Sequence, residues 1–228
     1  MTTDAAPILF AYPPQAAFGR VLPKNKIYTH VKPSRRLQQR FAAEVAQIVW
    51  QFKLAPETIR LEARPDVPEL QVLTIKLKDA GARESSEDVL RCIDRAIKFP
   101  IIFEVVAGDR VRVVAAYKRP SEADSAKWVV GDYFSSPWLP ADAPRAPLPV
   151  VLDLAALYTC LLRRLMPHPA RDGELLKDHA ERTSQIRSLE RDYGKTHTRL
   201  MREKQFNRKV ETNAELRAIQ AQLDELTL

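Results

Sequence analysis

The chain has 228 residues, 45% hydrophobic and 29% charged, with a formal net charge of +7. That length suits one domain plus an extension, or two small domains, and the apolar share is ample for a core. No apolar run approaches the roughly 18–20 residues that cross a bilayer. Residues 1–7 lack the charged and apolar regions of a secretory leader, and Cys92 and Cys160 stand alone, without disulfide or zinc spacing, so a cytoplasmic protein is expected.

The charge is unevenly placed. Residues 5–43 contain no acid, while Arg20, Lys24, Lys26, Lys32, Arg35, Arg36 and Arg40 supply seven positive charges, as many as the net charge of the whole chain. Such a block raises the potential over one surface and draws in phosphate. A solvated basic face would have the same composition.

In chain order, residues 1–32 are proline-rich and irregular, with an edge strand expected at 8–12 and a turn into a short strand at 23–28. A helix is expected over 34–53, capped by Ser34, with Leu37, Phe41, Val45, Ile48, Val49 and Phe52 as its apolar stripe and Arg35, Arg36 and Arg40 outside. Residues 69–78 alternate as a half-buried strand, with one slip in phase near Val72–Leu73. A helix follows over 86–97, with Val89, Leu90, Ile93 and Ile97 on one face and Ser85 or Ser86 as cap. Strands at 99–106 and 110–118 meet at a Gly108-Asp109 hairpin. Residues 120–126 form a polar loop, 127–134 a strand with a bulge at Gly131, and 137–149, with five prolines, a stiff connector. A strongly apolar helix spans 150–166, and 167–173 is a linker.

Residues 174–228 contain no proline and one glycine, with 11 basic and 10 acidic residues, a composition of long helix without the charge of a nucleic-acid arm. Ile186, Leu189, Tyr193 and Leu200 keep one heptad register, and Leu216, Ile219, Leu223 and Leu226 another. The registers disagree across Glu203 and Asn207, so a kinked arm or helical hairpin fits better than a continuous coiled coil. The expected fold is therefore α/β or α+β: a body over 1–166 with a mixed sheet of about four to six strands covered by helices, followed by a coiled-coil-like arm that binds a protein partner or a second copy.

No phosphate loop, dinucleotide fingerprint or nucleophile elbow is present. His30, His168, His179 and His197 do not stand at ligand spacing to one another, and neither a metal nor a cofactor is expected. The one enzymatic constellation is nucleolytic, with Glu69 and Glu104 as metal carboxylates and Lys118 beside the attacking water. Its spacing departs from such sites: Glu104 is followed by Val105 and Val106, with no lysine two positions on, and alternation places it opposite Phe103 and Val105, as an ordinary solvent-facing glutamate. Tyr12, Phe18 and Tyr28 interleave with Arg20, Lys24 and Lys26 as in a base-stacking groove, or simply anchor the segment to the sheet. Lys53 and Lys118 are placed to extend the basic face.

The segments 23–28 (Pro-Lys-Asn-Lys-Ile-Tyr), 48–59, 93–94 with 100–104, 117–118 and 203–210 together resemble a bacterial domain-of-unknown-function family, DUF4391, over nearly the whole chain. That family is often encoded beside helicase and DNA-methyltransferase genes in restriction-like defence loci. The resemblance implies a partner subunit acting with DNA-handling enzymes, and carries no catalytic residues. The leading expectation is a non-enzymatic accessory subunit of a DNA-associated anti-phage complex. In it Lys24, Lys26, Arg35, Arg36 and Arg40 touch phosphate, and the arm holds a helicase or methyltransferase subunit or a second copy. The alternatives are a metal-dependent nuclease using Glu69 or Glu104 with Lys118, and an assembly scaffold without nucleic-acid contact.

Overall fold

A computed structural model describes residues 7–81, 86–124 and 127–228. The chain divides into two compact units, residues 1–166 and 167–228. The first is a mixed α/β unit around a seven-stranded sheet. Nine short or long strands are present among the described residues: β1 (Phe10–Ala11), β2 (Ala17–Val21), β3 (Val45–Leu54), β4 (Leu70–Leu77), β5 (Ile101–Ala107), β6 (Arg110–Pro120), β7 (Trp128–Ser135), β8 (Leu139–Pro140) and β9 (Ala146–Pro147). The sheet runs β2-β3-β4-β5-β6-β7, with β8 beside the start of β6, while β1 and β9 pair separately. Only β4 and β5 run parallel within it, because α4 (Glu87–Ala96) carries the chain from one to the other.

One sheet face packs under α1 (Lys24–Val31), α2 (Arg35–Glu44) and α4, through Leu73, Ile75, Phe103, Val105, Val114 and Ala116. The other lies under α5 (Leu154–Arg163) and the 137–149 segment. There the Tyr158 hydroxyl donates to the Ala116 carbonyl at 2.6 Å and accepts from the Lys118 amide at 2.8 Å.

Several expectations change here. The helix expected over 34–53 ends at Glu44, and residues 45–54 form β3, followed by the one-turn helix α3 (Pro56–Ile59). Val45, Ile48, Val49 and Phe52 imitate a helical stripe because β3 carries two bulges against β4, between Val45 and Gln47 and between Trp50 and Phe52. Each inserts a residue and turns a same-face step of 2 into one of 3, from Val45 to Ile48 and from Val49 to Phe52. The β-branched and aromatic content of this run favours strand. The apparent phase slip in β4 has the opposite cause. Its pairing with β5 is unbroken from Gln71 to Lys76, and Leu70, Val72, Leu73 and Ile75 are all buried, so this central strand is apolar on both faces. Residues 24–31 are helical, closed by Lys32 in the left-handed region at φ 49°. The apolar helix is α5, shorter than 150–166, and the proline-rich connector holds β8 and β9.

The Gly108-Asp109 turn and the Gly131 bulge both form. Ala107 pairs with Arg110 across the two-residue turn, where Gly108 takes φ +61°. One extra β7 residue sits opposite Tyr117, and a side chain at Gly131 would stand 3.1 Å from the Tyr117 carbonyl. Ser86 sits at the N-cap of α4, but its hydroxyl accepts from Arg40 rather than from the helix. Ser85, residues 125–126 of the polar loop, and residues 1–6 lie outside the described residues.

The second unit is an antiparallel pair, α6 (Leu176–Arg202) and α7 (Phe206–Thr227). The register break across Glu203 and Asn207 is the turn itself, where the Glu203 carboxylate accepts from the amides of Lys204 and Gln205 at 2.8 and 2.9 Å. Its seam is narrow: Ala180, Ile186, Leu216 and Leu223 are buried together with Thr183, Thr196 and Thr212. Buried polar bonds hold the far end. Arg182 donates to both Glu174 oxygens at 2.7 and 2.8 Å, to the Leu226 carbonyl at 3.1 Å and to the Pro169 carbonyl at 2.8 Å. Arg199 pairs with Glu215 near the turn.

Candidate nucleic-acid interface

The five basic residues singled out in the sequence have different fates. Lys24 is committed to the fold: its ammonium donates to the Phe41 and Val45 carbonyls at 3.2 and 2.5 Å, at the C-terminus of α2, where helix-end carbonyls and the helix dipole favour a cation. Burial, and then the neighbouring Lys78, lower its pKa. Arg40 is half-committed, donating to Ser86 at 3.0 Å and to Asp88 at 2.7 Å. Lys26, Arg35 and Arg36 are exposed.

Two clefts flank α1. The first, about 510 Å³, lies between the end of α1, α2 and α4, and is lined by Lys32, Arg36, Arg40, Arg91 and Arg95, with Asp88 as the one carboxylate among the described residues. Helical spacing builds it. Arg36 and Arg40 stand one turn apart on α2, Arg91 and Arg95 one turn apart on α4, and the two pairs face each other across the opening. Asp88 is neutralised by Arg40. Arg91 is held by the Val130 carbonyl at 3.1 Å and by the Tyr133 ring at 5.1 Å. Lys32, Arg36 and Arg95 make no hydrogen bond or ion pair among the described residues. Cys92 lies at the base, where burial pushes its thiol up against the opposing effect of Arg95, so it stays a neutral thiol.

The second cleft, about 490 Å³, lies on the other side of α1, between β2, β3 and the end of α4. Arg20, Lys26, His30 and Lys98 border it, around Phe18, Trp50 and Phe99. Its one carboxylate, Glu69, is paired with Lys53 at 2.9 Å. Among the described residues, eight lysines and arginines thus line the two clefts against two carboxylates, both already paired. Such a surface gathers anions.

The nucleolytic trio is not brought together. Lys118 is 2% exposed, and its ammonium points to the α4 side, donating to the carbonyls of Asp94, Ile97 and Phe99 and lying 3.4 Å from the Asp94 carboxylate. It closes the C-terminal end of α4. Asp94 in turn accepts from the Tyr133 hydroxyl. Burial raises the Asp94 carboxyl and lowers the Lys118 ammonium, while the charge of each favours the ionised form of the other. Glu104 lies on the opposite face of the sheet. It is not solvent-facing but buried, with Arg145 donating to its two oxygens at 2.7 and 2.9 Å and to the Phe10 carbonyl at 3.0 Å. Glu69 belongs to the second cleft. Among the described residues no three histidine, cysteine, aspartate or glutamate side chains are grouped to hold a metal ion.

Of the interleaved aromatics, Tyr12 packs on Phe52 at 4.9 Å and Tyr28 on Phe41 at 5.5 Å, and only Phe18 stays open, 5.3 Å from Trp50. Arg91, Arg95 and Lys98 were not legible as site residues because they lie some fifty residues beyond the basic block. Their signal was the charged back of the 86–97 helix, opposite its apolar face.

No helix among the described residues is long and apolar enough to cross a membrane. No curated protein and no solved structure matches the chain. The model of one family, described as a domain of unknown function (DUF4391), matches residues 10–223. That match takes in the sheet, both clefts and nearly all of the helical pair, and by it the chain belongs to the DUF4391 family.

Proposed function

We propose that the 1–166 unit is a nucleic-acid-binding body that holds phosphate along the two clefts beside α1. In this reading the chain serves as a non-enzymatic accessory subunit to DNA-handling enzymes in a restriction-like complex. The observation that carries it is the charge balance of the clefts among the described residues: eight cations against two neutralised carboxylates, with Lys26, Arg36, Arg40, Arg91 and Arg95 on helices whose other faces build the core. Lys32, Arg36 and Arg95 are the phosphate-binding groups with no competing partner among the described residues, joined by Lys26 and Arg35 nearby. Lys24 serves the fold instead.

The helical pair supplies a separate surface. Met201, Phe206 and Val210, at and beside its turn, are 73%, 77% and 53% exposed, and this apolar tip suits a protein partner. The helicase or methyltransferase subunit that the family resemblance implies is the proposed occupant.

The test is fluorescence anisotropy of labelled 20-nucleotide strands and duplexes at about 50 mM salt. The wild-type protein is expected to bind, and Lys32→Gln/Arg36→Gln/Arg95→Gln to lose about tenfold or more with its thermal unfolding unchanged. Absence of binding at that salt, or full binding by the triple variant, overturns the reading.

A further inference from the structure

The second cleft has an aromatic wall that phosphate binding does not require. Phe18 projects from the edge strand β2 and is 40% exposed. Its ring lies 5.3 Å from Trp50, tilted by 58°. Trp50 is fixed by a relay of hydrogen bonds. Its indole N–H donates to Gln71 Oε1 at 2.7 Å, Gln71 Nε2 donates to Glu69 Oε1 at 2.8 Å, and Glu69 Oε2 pairs with Lys53 at 2.9 Å. Gln71 is fully buried, so the relay is rigid and the aromatic platform is set before any ligand arrives.

Cations sit over the same rings. The Arg20 guanidinium lies 4.7 Å from the Phe18 centroid and the Lys98 ammonium 5.8 Å from that of Phe99. Lys26 borders the opening. Aromatic faces rimmed by positive charge form the arrangement that takes a base on the ring and its flanking phosphates on the rim. The volume of 490 Å³ falls within the roughly 300–1,000 Å³ of small-ligand sites. A base inside a duplex is stacked on both faces and cannot enter such a cleft, whereas an unpaired base can.

We infer that the second cleft accepts an unpaired nucleobase of a single-stranded nucleic acid, stacked on Phe18 beside Trp50 in place of the Arg20 guanidinium, which swings from the ring to an adjoining phosphate while Lys26 and Lys98 hold its neighbours. This deepens, and rests on, the proposed phosphate-binding role of the body. The ligand is then single-stranded DNA or RNA, or a strand opened by a partner enzyme.

The experiment compares 12-nucleotide single strands with duplexes of the same sequence, using the full chain, Phe18→Ala, Phe18→Tyr and the Lys32/Arg36/Arg95 triple-glutamine variant. Phe18→Ala is expected to weaken single-strand binding by about 5- to 100-fold and leave duplex binding unchanged. Phe18→Tyr, which keeps the ring, is expected to retain single-strand affinity. Binding to the wild type should also quench tryptophan fluorescence through Trp50. If Phe18→Ala binds single strands as tightly as wild type while the triple variant weakens both ligands, the base site is refuted and the phosphate face stands. If the wild type binds neither ligand, both fall.

Discussion

Replacing Lys118 with methionine isolates the strongest buried polar feature of the body. Lys118 and Asp94 are each 2% exposed, and the lysine ammonium carries hydrogen bonds to the Asp94, Ile97 and Phe99 carbonyls at 2.6, 2.5 and 3.0 Å. Methionine keeps the length and apolar volume of the stem but removes the charge and all donors. The Asp94 carboxylate is then left buried with only the Tyr133 hydroxyl and the more distant Arg91 charge among the described residues, and loss of one member of a buried pair costs about 3–5 kcal/mol. The carbonyls at the end of α4 lose their donor as well, at about 1–3 kcal/mol for a buried group left unsatisfied. These costs overlap, so about 4 kcal/mol is expected in total. At about 2–4 °C per kcal/mol for a unit of this size, the unfolding midpoint falls by about 8–16 °C. Urea denaturation followed by tryptophan fluorescence measures the loss, and Lys118→Met/Asp94→Asn should recover part of it, since the stranded charge is gone. A loss below about 1 kcal/mol would refute the assignment of Lys118 to the fold and free it for another role.

Arg145→Met strands the buried Glu104 carboxylate and is expected to cost about 3–5 kcal/mol in the same assay, with Glu104→Gln/Arg145→Met less affected than the single change. Glu104→Gln is expected to leave nucleic-acid binding per folded molecule unaltered, because its partner is Arg145 on the sheet face away from α1, α2 and α4. In the helical pair, Arg182 and the Arg171 amide hold the Glu174 pKa down to about 2. The unfolded chain therefore binds the extra proton first, and this contribution is complete above about pH 4.5 and is lost as pH falls toward 2. The midpoint difference between wild type and Glu174→Gln should shrink across that window, and a constant difference would contradict the pairing. Gly108→Ala places a methyl 3.0 Å from the Ala80 side chain at a φ of +61°, and a loss of about 1–2 kcal/mol is expected from the strained turn.

The centre of the fold was legible because its signals were local. The apolar, β-branched run of β4, the one-sided apolar pattern of α4, the Gly108-Asp109 turn and the Gly131 bulge each lie within a dozen residues. The β3 strand was hidden by its own bulges, which shift the apolar residues to helical spacing, and α1 was hidden by Pro23 and its short length. Site residues divided along the same line. A linear count of charge reached Arg36 and Lys26 but could not tell them from Lys24, whose ammonium the end of α2 consumes. Nor could it reach Arg91 and Arg95, which join the cleft only because α4 crosses back beside α2. The Glu104–Arg145 pair spans 41 residues, and Arg145 lies in a proline-rich segment with no periodic signal. Alternation correctly set Glu104 away from Phe103 and Val105, but the burial of that second face comes from residues 137–149 and α5.

The salt dependence of single-strand binding tests the phosphate face most directly. Between about 50 and 200 mM salt, log affinity should fall linearly with log salt at about 0.7 per phosphate neutralised. Replacing Lys32, Arg36 and Arg95 with glutamine should make that slope shallower by about 2, because three phosphates then keep their counterions. A wild-type affinity that does not respond to salt, or a triple variant with the wild-type slope, would contradict phosphate binding in these clefts.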